Sequence, residues 1–266
     1  RLSKRLQMLI NTFILFLRDA LPIFVLVVYL YVPLPATKLW LLLCVLVGAL
    51  LSLIYINQIH LIGHWFDGKG IELSLWICQI FVYLLALVLG YGLNQNRTSN
   101  KQYLYWAAGI MVSLTLVSKG SNFILYFDGY LNQSNAIQSM LLGTFLGLGI
   151  CLSLAILLYL TAKWLKQQFG PWSTWLLVHI YVTGQLVNAL PLLVQVDFID
   201  ASATAWNSQY FVSNEFEYGR LFNVLFGYQA APSIAQVIVY TLALFTPLLI
   251  FYWLKLDSAP HSGIKK

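Results

Sequence analysis

Long apolar runs alternate with short polar connections along almost the whole chain. Seven such runs stand out, at about 8–32, 39–59, 73–95, 103–127, 138–162, 173–196 and 233–254. Each is close to the ~20 residues a helix needs to cross a hydrocarbon core. A chain in lipid must also satisfy its backbone polar groups within each segment, which leaves helices as the economical solution. The pattern predicts an all-α polytopic membrane protein with seven transmembrane helices, a single transmembrane domain over 1–254 and a tail over 255–266.

Two of the runs are interrupted near their middle by groups that lipid does not tolerate. Arg18-Asp19 lies inside the first, and Ser118-Lys119-Gly120-Ser121-Asn122 inside the fourth. An ionisable residue at that depth costs about 2.5–3.5 kcal/mol on insertion scales, so by default it marks a site or pathway. Pro22, three residues after Asp19, removes a backbone donor and is expected to kink the first helix. Each interrupted run is followed by two more runs, which suggests a three-helix repeat, one copy at about 8–95 and the other at about 103–196. Three crossings are odd, so the second copy is expected to be inverted, with spans one and four antiparallel and a site where the interrupted helices meet. Asp19 and Lys119 would then oppose one another and pair, leaving Arg18 for a carbonyl, Asn122 or water. Gly143, Gly147 and Gly149 in the fifth run favour close helix approach, read here as internal packing ahead of a dimer seam.

The stretch 197–232 is the one connection long enough to hold structure of its own. It carries Trp206, Tyr210, Phe211, Phe216, Tyr218, Phe222 and Phe226, too aromatic a composition for a disordered linker. An ordered element is expected, packed on the membrane surface or over a vestibule.

Composition agrees: 60% of the residues are hydrophobic and 9% charged, against about 25% charged in soluble domains. The net charge of +6 resembles a nucleic-acid signal, but its distribution reads as topology, and no nucleic-acid partner is expected. Lys38, Arg97, Lys101, Lys163, Lys166, Lys255, Lys265 and Lys266 all fall on one side of the bilayer. By the positive-inside rule that side is cytoplasmic, with the C-terminus inside and the N-terminus outside, although Arg1, Lys4 and Arg5 pull the other way. Loop 197–232 would then face outward, and the bilayer would be a cytoplasmic (inner or plasma) membrane. The first run is too long and too polar at Arg18-Asp19 for a cleavable signal peptide. Cys44, Cys78 and Cys151 all lie in runs and form no Cys-x-x-Cys, so they read as packing residues.

Several segments resemble the oxidase-dependent high-affinity iron permeases, seven-span proteins with an R-E-x-x-E motif in the first and fourth spans. Phe66-Asp67-Gly68-Lys69-Gly70-Ile71-Glu72 looks like that family's F-E-G-x-G-x-E segment. Trp206-Asn207, Gly219-Arg220-Leu221, Phe226-Gly227-Tyr228 and Pro232-Ser233 look like its last loop and the entry to its seventh span. The resemblance implies iron uptake, with iron as cargo and no resident cofactor, beside an iron-oxidising or iron-binding partner outside the membrane. The motifs themselves depart from the pattern. The first reads Arg18-Asp19-Ala20-Leu21-Pro22, and the second aligns as Ser118-Lys119-Gly120-Ser121-Asn122, so one of four expected carboxylates remains. One carboxylate flanked by Arg18 and Lys119 is a poor cage for a trivalent cation. Asp67 and Glu72 are either an entry relay or caps of the third helix, whose N-terminus favours acids.

Other chemistries fit less well. His60 and His64, four apart, permit a peripheral metal between two imidazoles, with Asp67 nearby. His60 and His179 fall at opposite ends of their helices and cannot share a haem. Ser118 and Ser121 have no histidine beside them, so an enzyme is not expected. The alternative to an iron-permease-like role is a non-transporting relative that serves as a scaffold or partner subunit in a membrane complex.

Overall fold

The computed structural model describes residues 10–34, 38–94, 102–131, 137–214 and 216–257. They are nearly all helical and contain no strand, only an isolated bridge between Thr204 and Ser233. The helices are α1 (Ile10–Tyr31), α2 (Lys38–Asn57), the short α3 (Ile59–Gly63), α4 (Gly70–Asn94), α5 (Gln102–Leu131), α6 (Ile137–Phe169), α7 (Pro171–Asn188), α8 (Leu190–Gln195), α9 (Glu217–Phe226) and α10 (Ile234–Asp257). Six stretches are long and apolar enough to cross a membrane: α1, α2, α4, α5, α6 and the α7–α8 pair. The chain is therefore a multi-pass membrane protein. The seventh expected run corresponds to α10, whose apolar part, Ile234–Leu249, is shorter.

Burial follows the demand that lipid face apolar side chains. In α1 and α5 just over half of the spanning residues are buried, whereas α2 and α6 are mostly exposed and apolar. Phe145, Leu157 and Trp164 on α6, and Leu42, Leu46 and Leu50 on α2, present the expected lipid-facing surface. The core is built where α1, α4, α5 and α7 meet, around Leu21, Val25, Leu89, Met111, Val178 and Tyr181. α1 and α5 run antiparallel. Thr12 meets the Tyr126 hydroxyl at 3.2 Å, and further along α1 Phe16 meets Phe123 edge to face at 4.8 Å. Gly147 of α6 lies against Phe16, so the small-residue stripe serves internal packing there, while Gly149 faces open space.

Three prolines shape the bundle, and at one of them neighbouring helices use the carbonyl it frees. A helical proline lacks the donor for the carbonyl four residues back, and its ring crowds that carbonyl. In α10 Pro247 frees the Ala243 carbonyl, which accepts from the Tyr83 hydroxyl (2.8 Å) and from His179 Nε2 (3.1 Å). His179 is thus fully buried as a helix pin, stacked on Trp175. Pro191 separates α7 from α8. Pro22 follows a π-helical turn, Phe16–Ala20, in which the Leu21 N–H reaches back to the Phe16 carbonyl. The widened turn gives the Arg18 carbonyl room beside the proline ring.

Segment 197–232 is ordered wherever it is described, and it enters the bundle instead of lying over it. Ala205 and Ser208 N–H groups donate to the Pro232 and Ala230 carbonyls, closing the loop on itself. α9 then packs on α7 and α1. It ends at Gly227, whose φ of 71° is the left-handed conformation that closes a helix C-terminus, with its N–H on the Asn223 carbonyl. Gly227 rests directly on Gly184, near the middle of the sixth spanning stretch; a Cβ on Gly184 would stand 2.5 Å from the Gly227 nitrogen. Irregular backbone at this depth is tolerated because protein surrounds it.

Gly184→Ala tests this docking. In an open helix the change would add up to about 1 kcal/mol of stability. Here the new methyl meets fixed backbone, and overpacking of that kind costs about 1–3 kcal/mol. The expected outcome is a lower melting temperature and protease cutting within 197–232, with Gly149→Ala neutral or stabilising in the same assay.

Candidate functional site

A cavity of about 600 Å³ opens between α1, α4, α5, α7 and α9. Four spanning helices each contribute polar groups near mid-length: Arg18 and Asp19 from α1, Gln79 from α4, Ser118 and Lys119 from α5, and Gln185 from α7. The loop element supplies Asn214, Arg220, Asn223 and Gln229. The cavity reaches from the middle of the bundle toward the end where that loop enters.

Inside it the pairing differs from the sequence-based expectation. Asp19 is 3% exposed and is held by its own neighbour, Arg18: Nη2 donates to Oδ2 at 2.8 Å, and Nε donates to both carboxylate oxygens at 3.1 and 3.2 Å. Consecutive side chains on an α-helix point apart. A π-turn holds more residues per turn and rotates each by less, so Arg18 and Asp19 can share a side. Lys119 takes no part in an ion pair or hydrogen bond among the described residues, which corrects the expected Asp19–Lys119 pair. The physical reason is proximity: a guanidinium one residue away makes a forked contact that an ammonium from another helix cannot match. Arg18 is still 64% exposed, because its outer edge faces the cavity.

The other motif positions divide. Pro22 and Asn122 line the cavity. Ser118 is buried, accepting from Gln79 Nε2 at 3.0 Å and donating to the Thr115 carbonyl at 3.1 Å. Gly120 faces the other way, onto Ser52 of α2, and lines an apolar crevice of about 540 Å³ instead.

The candidate entry residues do not reach the cavity lining. Asp67 is exposed in a tight turn where Phe66, Asp67 and Gly68 all have positive φ, at 52°, 57° and 91°. Glu72 lies in the first turn of α4, three residues before the cavity residue Leu75 and so on the same helical face. That position fits a helix-terminus charge at the rim. His60 and His64 are exposed on α3 and its cap, and no group of three metal-ligating side chains exists among the described residues. The pair with Asp67 therefore does not assemble a metal site there. Glu215 lies outside the described residues.

Sequence reasoning missed the amides. Asn188 and Asn223 exchange side-chain hydrogen bonds at 3.1 Å, Gln229 Nε2 donates to Asn188 Oδ1 at 3.1 Å, and Asn223 also donates to the Tyr228 carbonyl at 2.9 Å. This network fastens α9 to α7 and so fixes the stretch that carries Arg220. The signal was present: Gln79, Gln185 and Asn188 are isolated amides in apolar runs, and polar groups at that depth are rarely idle.

Among the described residues the lining thus holds three cations and one carboxylate, and that carboxylate is already paired. Such a site repels bare metal cations and favours an anion or a polar neutral solute. The chain matches no family model, no curated protein and no solved structure.

The pairing is open to a mutant cycle. Arg18→Gln strands the buried Asp19 carboxylate, with an expected loss of about 1.5–3 kcal/mol for charged hydrogen bonds. Adding Asp19→Asn should restore most of the melting temperature. Lys119→Gln should leave it unchanged or raise it, because the substitution removes a partly buried charge that has no ion-pair partner among the described residues. Equal destabilisation by Lys119→Gln and Arg18→Gln would show that Lys119 is the true partner.

Proposed function

We propose that this chain is an iron-permease-like, solute-handling membrane protein in which the cation cage has been replaced by a cationic, amide-lined cavity. Its core is two inverted three-helix repeats, α1-α2-α4 and α5-α6-α7, with α10 as a seventh span. The packing supports this reading more strongly than antiparallel α1 and α5, which alternate threading alone would give. Exchanging the two triplets maps the α2–α5 contact onto α6–α1 and the α4–α5 contact onto α7–α1, and it leaves α1–α5 and α4–α7 unchanged; all of these contacts occur. The match is not complete: the α6–α7 contact has no extensive counterpart between α2 and α4, and α1–α7 is much slighter than α4–α5. The first helix of each triplet is central and the second peripheral. Polar groups of the interrupted helices gather between the triplets, where transporters of this architecture bind their cargo.

One observation carries the functional reading: the cavity lies at the position expected for a permease site but carries excess positive charge. Fe(III) needs several hard carboxylate oxygens, and the one present is neutralised by Arg18. The protein resides in a cytoplasmic (inner or plasma) membrane with the N-terminus outside, so the cavity opens outward beneath loop 197–232. A scaffold role would need no such cavity, and nothing in the bundle favours it over solute handling.

Two measurements test this, the first on the purified protein and the second on intact cells. Iron content should be far below one atom per chain and unaffected by Asp19→Asn. A cysteine at Asn122, in a background lacking Cys44, Cys78 and Cys151, should react with a membrane-impermeant thiol reagent added from outside. Stoichiometric iron lost with Asp19→Asn would restore the iron-permease site, and an unreactive Asn122→Cys would remove the open cavity.

A further inference from the structure

Several features of the cavity remain unused by the fold. Lys119, Arg220 and Asn122 line it without a hydrogen bond or ion pair from any side chain among the described residues. Gln185, also lining it, is only 4% exposed. Its Nε2 donates to the Val224 carbonyl at 3.1 Å, and that carbonyl can only accept, so the amide cannot be flipped. Gln185 Oε1 is therefore the free end, and it has no partner. A buried unpaired acceptor carries the full desolvation penalty of its group and calls for a donor. The site thus presents excess positive charge, and just beneath its lining, sealed from solvent, lies an acceptor that needs an O–H or N–H.

We infer that the cavity binds small organic anions of the hydroxycarboxylate class. This rests on the reading of the cavity as a solute site and names its substrate class. Carboxylates answer Lys119 and Arg220, Arg220 as a planar fork and Lys119 as a point charge. The hydroxyl answers Gln185 Oε1, which sulfate has no donor to do; hydrogenphosphate, which keeps one O–H, is set apart by its size. The volume, about 600 Å³, is also that of an organic-ligand pocket rather than of a bare inorganic ion. Asp19 does not oppose binding, since Arg18 already satisfies it.

The test uses the full chain in nanodiscs and isothermal titration with citrate. Citrate is compared with tricarballylate, which has the same three carboxylates without the hydroxyl, and with sulfate. Citrate should bind, tricarballylate at least fivefold more weakly, and sulfate more weakly still. Lys119→Gln and Arg220→Gln should each weaken citrate at least tenfold without lowering the melting temperature. Gln185→Leu should erase the preference for citrate over tricarballylate. Lys163→Gln, exposed on α6 and away from the cavity, should leave binding unchanged. The inference is overturned if folded wild-type protein fails to bind citrate, or if Lys163→Gln weakens binding as much as Lys119→Gln. It also fails if sulfate competes equally with citrate, which would indicate a charge site without hydroxyl recognition. If Asn122→Cys is labelled yet no citrate binds, only the substrate class falls; if it is not labelled, the cavity reading falls with it.

Discussion

The contact between Arg18 and Asp19 sets the chemistry of the whole bundle interior. Asp19 is almost completely buried, and a lone carboxylate at that depth would be costly. A guanidinium one residue away removes that cost through a charge-assisted fork. The pairing of consecutive residues depends in turn on the π-turn Phe16–Ala20, and that turn sits where Pro22 crowds the Arg18 carbonyl. One proline thus leads through backbone geometry to a local ion pair, and Lys119 is left without a contact to that acid.

The loop element completes the site. α9 brings Arg220 to the cavity and is held there by a glycine–glycine contact with α7 and by the Asn188–Asn223–Gln229 amides. Its exposed side carries Phe222, Phe226 and Tyr218, aromatics suited to the border between lipid and water. Neither arrangement alone gives the cavity its character. The bundle contributes the paired acid and a lysine, and the loop contributes Arg220 and the amides that close one end; neither Lys119 nor Arg220 has an ion-pair contact among the described residues.

Much of the architecture was legible in the sequence because hydropathy is a one-dimensional signal. Six of the seven apolar runs appear as membrane-length helices close to their expected bounds. The aromatic content of 197–232 correctly pointed to an ordered element. Its depth was not legible, because insertion into the bundle depends on Gly227 meeting Gly184, a contact across 43 positions that no local pattern encodes. The ion pair was misassigned for a related reason. In α-helical phase Arg18 and Asp19 would diverge, and a π-turn changes that phase by one residue. The amide network was overlooked because glutamine and asparagine attract less notice than charges, although in lipid they are nearly as constrained.

The central claim is that this cavity is electropositive because its single described carboxylate is already neutralised. The most direct measurement is the relaxation of a nitroxide attached at Asn122→Cys by paramagnetic agents of opposite charge. The account predicts stronger relaxation by anionic chromium(III) oxalate than by a cationic nickel(II) complex, with the preference fading at high salt and in Lys119→Gln. Stronger relaxation by the cation would mean that the cavity attracts metal ions, and would contradict the account.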